Sequence, residues 1–254
     1  MIMVFGVAYF LSASTEDKGI PASEALKKLK EGNQRFVDER VIRPNQTFER
    51  VVKISEGQHP FVSILSCSDS RVPTEMLFDQ GFGDIFSVRV AGNVADTDEI
   101  GTLEYGTEHL GTSLVVVLGH TKCGAVTAVV KGDSVHGHIP ALVDNIIPAA
   151  KKAKEEGVKE EELIGRAIEL NVLQSIEDIL TKSEDIRHLV QSDRLTIVGA
   201  VYDIATGHVK WMGEHPDQAR ILQSFHTMDK KEGVTKDRAD KSATSKEDLQ
   251  HAGP

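Results

Sequence analysis

The sequence predicts an α/β fold: a mostly parallel central sheet flanked by helices, with an antiparallel hairpin at one edge. Three observations carry this. Phe61-Val62-Ser63-Ile64-Leu65 and Leu114-Val115-Val116-Val117-Leu118 are near-continuous apolar runs of strand length, as expected of strands buried on both faces. Strand-length runs alternate with helical patterns, the order that builds a parallel sheet. Near the end, Ala205-Thr206-Gly207 separates two strand patterns, which signals a hairpin.

Each element follows in order. Pro21-Ala22-Ser23-Glu24 opens a helix, with Pro at a first-turn position and an acid at the positive end of the dipole. Ala25, Leu26, Leu29 and Phe36 give that helix one apolar face. A short helix is expected around Phe48–Glu56. Phe61–Ser66 is the first strand, and Val72-Pro73-Thr74 turns the chain because Pro73 cannot join a ladder. Asp84–Val90 is the second strand and ends in Ala91-Gly92-Asn93. Asp98 to His109 reads as helix, Leu114–Gly119 as the third and central strand, and Gly124 to Val130 as a helix stopped by Gly132-Asp133. Ile139 to Lys154 and Glu160 to Thr181 are long helical patterns. The charged run Lys151–Glu156 between them reads as a solvated helix face. Leu195–Val201 and His208–Met212 complete the sheet.

Composition sets limits. The 254 residues are 40% hydrophobic and 27% charged, ordinary for a globular protein. A net charge of -10 argues against nucleic acid as a partner, since phosphate binding needs clustered Lys and Arg. One domain is expected over residues 20–226. Residues 227–254 are rich in Lys, Asp, Glu, Ser and Thr, and such a tail buries too little to offset its ordering entropy. Residues 1–19 begin with an apolar run, Met1 to Leu11, too short for a helical membrane span. It is like the core of an export signal but lacks the usual preceding positive charge. The balance favours an exported or periplasmic protein, with a cytoplasmic chain carrying an apolar arm as the alternative.

The chemistry gathers at two strand ends. The first strand runs into Ser66-Cys67-Ser68-Asp69-Ser70-Arg71, and the third into Gly119-His120-Thr121-Lys122-Cys123-Gly124-Ala125. In an open parallel sheet, ligands bind beyond the carboxyl ends of strands. Cys67, His120 and Cys123 are then three soft metal ligands at one edge. Three protein ligands leave a tetrahedral zinc ion one open position, the pattern of a catalytic site. The dipole of the helix after Cys123 favours its thiolate. Arg71, two residues after Asp69, can hold that carboxylate ionised through parallel hydrogen bonds. Ser68 and Ser70 are expected to hydrogen-bond the loop. The chain has two cysteines, so a Cys67–Cys123 disulfide in an exported protein is the rival, but it gives His120 no role.

These two motifs, Cys-Ser-Asp-Ser-Arg at 67–71 and His-Thr-Lys-Cys-Gly-Ala at 120–125, resemble the paired signature of the β-class carbonic anhydrases. The likeness extends more weakly from about Ala22 to about Trp211. It implies one Zn2+ on Cys67, His120 and Cys123, and an Asp69–Arg71 dyad beside it. Asp69 would be a fourth ligand in a closed state of the site. The reaction implied is reversible hydration of carbon dioxide to bicarbonate and a proton. N-terminal helices that embrace a neighbouring subunit imply a homodimer or higher homo-oligomer. A small apolar substrate asks for a narrow apolar pocket. Phe86, Val90 and Tyr105 are candidates to line it, some across a subunit boundary, with core packing as the alternative; Gly92 and Asn93 would turn tightly at its mouth. Family members inhibited by bicarbonate at a second site carry a Trp where this chain has Ile64. Arg89 and Tyr202 are therefore expected to be a solvated or paired Arg and a strand Tyr. Two rival functions remain: a carbon disulfide or carbonyl sulfide hydrolase on the same scaffold, and a non-catalytic zinc or redox-sensing protein. His136-Gly137-His138 reads as polar loop, and Lys122 as a solvated rim residue.

Overall fold

The computed structural model describes residues 19–225. The apolar segment expected over 1–19 therefore lies, but for Gly19, outside the described residues, as does the charged tail expected over 227–254. Both apolar runs form strands buried at every position: β1 (Val62–Cys67) and β3 (Leu114–His120). β1 pairs in parallel with β3 on one side and with β2 (Ile85–Val90) on the other. β4 (Thr196–Tyr202) extends the sheet in parallel beyond β3, and β5 (Val209–Gly213) closes it antiparallel. The order is β2-β1-β3-β4-β5. The chain steps one way from β1 to β2 and then crosses to the other side for β3. The ends of β1 and β3 thus flank the point where strand order reverses, where such sheets place their ligands.

Side chains alternate across the sheet, and each face has its own core. Ile64, Val116 and Val198 face α1 (Ala22–Val37), which contributes Ala25 and Leu29. Leu65, Val117 and Ile197 lie in the opposite cluster. That face is covered by α4 (Thr97–Glu104), α5 (Gly124–Lys131), α7 (Ile147–Glu155) and α8 (Glu160–Lys182). α8 sits close on the sheet because two strand residues lack side chains. A Cβ at Gly119 would lie 2.7 Å from Val172 Cγ2, and one at Gly199 2.8 Å from Val172 Cγ1.

Several elements depart from expectation for identifiable reasons. The pattern from Ile139 to Lys154 breaks into Ile139–Val143, a tight turn at Asp144–Ile146, and α7. Pro148 explains the break, since it fits the first turn of a helix but not its interior. The helix expected to reach His109 is regular only to Glu104, and Tyr105–His109 widens into a π turn. There Gly106 meets β1, where a Cβ would come within 2.5 Å of Ser63 Oγ, and Thr112 takes the Gly106 carbonyl through both its N–H and its hydroxyl. Two helices went unread, Thr74–Leu77 after Pro73 and Glu184–Gln191. The second is capped by Ser183, whose hydroxyl accepts from the Ile186 N–H at 3.1 Å.

Asp79 ties the end of α1 and the arm after it to the body. Its buried carboxylate accepts from Arg35 Nε at 2.6 Å, Ile42 N at 3.0 Å and Arg43 N at 2.9 Å. Burial pushes the carboxyl up, but Arg35 and the two N–H groups outweigh it and hold it below its ordinary value. The stability it contributes is full above the unfolded carboxylate pKa and is lost as pH falls through the lower folded one. Asp79→Ala is expected to cost about 2–3 kcal/mol in urea unfolding at pH 7, less than a fully buried pair because Arg35 keeps some solvent. The difference from wild type should shrink in acid.

Candidate metal centre

Cys67 and His120 are the last residues of β1 and β3, and Cys123 is the residue before α5. Between the last two, Lys122 takes a left-handed φ of 58°, which kinks the chain so that both side chains turn to one point. The two sulfurs and the imidazole nitrogen lie within 4.8 Å of one another, and all three residues are buried. The cysteines are free, so the disulfide alternative fails here.

The imidazole is oriented for a metal. His120 Nδ1 lies 3.0 Å from the Thr121 carbonyl, which requires the proton on Nδ1 and leaves the Nε2 lone pair free. Nε2 is fully buried and has no hydrogen-bond partner among the described residues. A buried acceptor facing two thiols costs stability unless a cation completes it. The donor set of two sulfurs and one imidazole suits zinc.

The two thiols behave as one acid–base pair. The Cys67 thiol is pulled down, first by a hydrogen bond from Cys123, against burial, with the Gly92 N–H helping. The Cys123 thiol, sharing that hydrogen bond and buried, is pushed well up. Metal binding to this pair displaces the thiol protons.

Asp69 stands beside this cluster. Arg71 Nε and Nη2 donate to its two carboxylate oxygens at 2.9 and 2.7 Å, and Arg71 N adds a third bond at 2.9 Å. The Arg71 guanidinium holds the carboxyl well below the usual range. Asp69 Oδ2 is also 3.8 Å from His120 Nε2. The carboxylate thus borders the cluster while bound to Arg71.

The remaining expected residues separate into two groups. Val90 pairs with Cys67 across the ladder, and the Gly92 N–H donates to Cys67 Sγ at 3.3 Å. Gly92 (φ 77°) and Asn93 (φ 48°) form the tight turn. Phe86 pairs instead with Ser63, four residues back along the strand, or ~13 Å at the usual rise per residue. Its ring packs 6.0 Å from that of Tyr105, which is 48% exposed. Val90 and Val94 line a groove of about 270 Å3, and Thr121, Lys122 and Gly124 line a cavity of about 1130 Å3; neither is lined by any of the three donors. His136 and His138 are exposed.

Two contributions escaped the sequence reading. Ser68 and Ser70 are exposed and supply no side-chain bond to the loop. Arg89 does so instead, donating to the Asp69 carbonyl at 2.8 Å and the Cys67 carbonyl at 3.3 Å. Its register with Ser66 exists only in the folded sheet, so no local signal announced it. Asn171 and Ser175, buried polar residues on α8, reach the Gly92–Asn93 turn, and an Asn between Leu170 and Val172 was the hint.

Comparison with known proteins agrees with this geometry. Residues 62–209 match the protein family described as Carbonic anhydrase. Carbonic anhydrase 2 of Mycobacterium tuberculosis (strain CDC 1551 / Oshkosh) is 35% identical over 187 residues, covering 72% of this chain and 89% of that protein. The carbonic anhydrase of Mycolicibacterium smegmatis is 34% identical over 190 residues, covering 73% and 91%. Among solved structures, the β-carbonic anhydrase CafA of Aspergillus fumigatus superposes with a TM-score of 0.64 at 27% identity, covering 81% of this chain and 97% of that one. With this agreement in motif, fold and donor geometry, the chain belongs to the β class of the carbonic anhydrase family, whose members are carbonate dehydratases.

Proposed function

We propose that this chain hydrates carbon dioxide reversibly, using zinc held by Cys67, His120 and Cys123. The observation that carries the reading is the partnerless Nε2 of His120, fully buried and facing two free sulfurs at the switch point of the sheet. Bound there, zinc supplies the Lewis acidity that ionises a water near neutral pH. The chain's own residues do the rest. Asp69, fixed by Arg71, accepts a hydrogen bond from the incoming water and aims its lone pair. The bidentate pair also keeps the carboxylate on Arg71, where it would not compete with water for a bound ion. Val90 and the side-chain-free Gly92 offer an apolar approach for a small nonpolar substrate. Phe86 and Tyr105, set apart from the donors in this chain, would contribute only across a subunit boundary. Stopped-flow hydration, with zinc measured on the same sample, tests the reading. Full zinc loading without hydration would overturn it.

The working unit is a dimer or larger. β2 has a neighbour on one side only, and an open edge is usually covered. Phe48–Lys53, the helix near it, has no buried residue. Phe48 is 81% exposed, and Ile42, Val52, Met76 and Phe82 are exposed as well. Apolar exposure of this extent marks a contact surface. Light scattering is expected to give a multiple of 27.8 kDa. Phe48→Glu should shift the population toward the single-chain mass.

A further inference from the structure

We propose that Asn171 and Ser175, one turn apart on α8, are positioning residues for the metal centre; the inference rests on the metal reading above. Asn171 Nδ2 donates to the Gly92 carbonyl at 2.7 Å, and Ser175 Oγ to the Asn93 carbonyl at 2.9 Å. Both side chains are buried. The two carbonyls belong to the turn whose Gly92 N–H meets Cys67 Sγ at 3.3 Å. Asn93, a non-glycine residue, has a positive φ of 48°, and such backbone persists only where its surroundings hold it. Ile146 confines the turn from another side, since a Cβ at Gly92 would come within 2.7 Å of Ile146 Cδ1.

The seat of the helix aims these groups. Val172 rests where Gly119 and Gly199 lack side chains, and Asn171 is its neighbour in sequence. The same cluster leaves Asn171 Oδ1 and Asn93 Nδ2 without partners among the described residues. Unpaired buried polar atoms cost stability, so burial alone would favour a leucine at 171. The amide instead fixes the turn. A hydrogen bond to a thiolate draws charge from the sulfur and orients it, which tunes the bound metal's affinity and Lewis acidity.

Cobalt(II) is the probe, read by affinity against a chelator and by the thiolate-to-cobalt charge-transfer band. Asn171→Leu keeps the branched shape and removes the donor. Ser175→Ala removes one hydroxyl. Ile179→Ala, fully buried two turns further along the helix, controls for lost packing. Asn171→Leu is expected to weaken affinity by about 10–100-fold, and Ser175→Ala by less. The band should shift in both and stay in place in Ile179→Ala. Wild-type affinity with an unshifted band in the first two variants overturns the proposal. If Asn171→Leu does not fold, Ser175→Ala alone decides. Wild-type protein that binds cobalt without a thiolate band overturns the metal reading instead, so the two failures are distinguishable.

Discussion

His120→Ala is expected to lose both metal and carbon dioxide hydration while keeping its fold. The imidazole is the central donor, fully buried at the end of β3, with its Nδ1 tied to the Thr121 carbonyl and its Nε2 facing the sulfurs. Two thiols alone cannot make the three-ligand shell that leaves one position open. Without the ion, nothing lowers the attacking water's pKa toward neutrality, and turnover should fall to the buffer background. The sheet should survive, because the core faces of β1 and β3 do not depend on the imidazole. Metal analysis, stopped-flow hydration and urea unfolding on one sample check all three points. Full metal retention by the variant would contradict the ligand assignment.

Arg71→Ala is expected to reduce turnover by about 10²-fold, the usual scale for misplacing a reacting group by an ångström, yet to keep its metal. Arg71 makes three hydrogen bonds to the Asp69 carboxylate, and Asp69 Oδ2 is already 3.8 Å from His120 Nε2. Of these, the alanine variant keeps only the bond from the backbone N–H. The freed carboxylate could then turn toward the three donors and compete with water for a bound ion. Asp69→Ala in the same background removes the intruding group. The double variant should therefore be more active than Arg71→Ala alone, a non-additive result that marks coupled residues. Arg71→Lys should rescue poorly, since a point charge cannot reproduce the two-pronged grip. The pH dependence follows from the direction of the Asp69 shift. Arg71 depresses that carboxyl, so the pair is intact above the ordinary carboxylate pKa and is lost only as pH falls through the lower folded value. Any decline in wild-type activity between pH 8 and 6 should consequently leave the Asp69–Arg71 pair unchanged.

How much of this was legible in sequence depends on the range of the interactions. Local pattern announced β1 and β3, because uninterrupted Val, Ile and Leu at strand length admit few other structures. It also placed Cys67, His120 and Cys123 at strand ends, since each motif directly follows its run. The Asp69–Arg71 pair lies within one loop and was equally readable. What escaped depends on contacts between distant segments. Arg89 reaches the Cys67 loop only because β2 lies beside β1 in parallel register. Asn171 reaches Gly92 only because Val172 settles over two glycines on different strands. Ladder register sets Phe86 four residues back from Cys67 along the strand, a separation that only strand pairing reveals. The break before α7 was there to be read in Pro148, and the long amphipathic pattern around it masked it.

The strand order has a consequence for how the protein is made. Cys67 and His120 are distant in sequence and meet only through the pairing of β1 with β3. Strand pairing rather than the ion brings the donors together, so the ion is expected to arrive as cargo at a berth the sheet has made. A stripped enzyme should keep its architecture, and reloading should proceed without refolding.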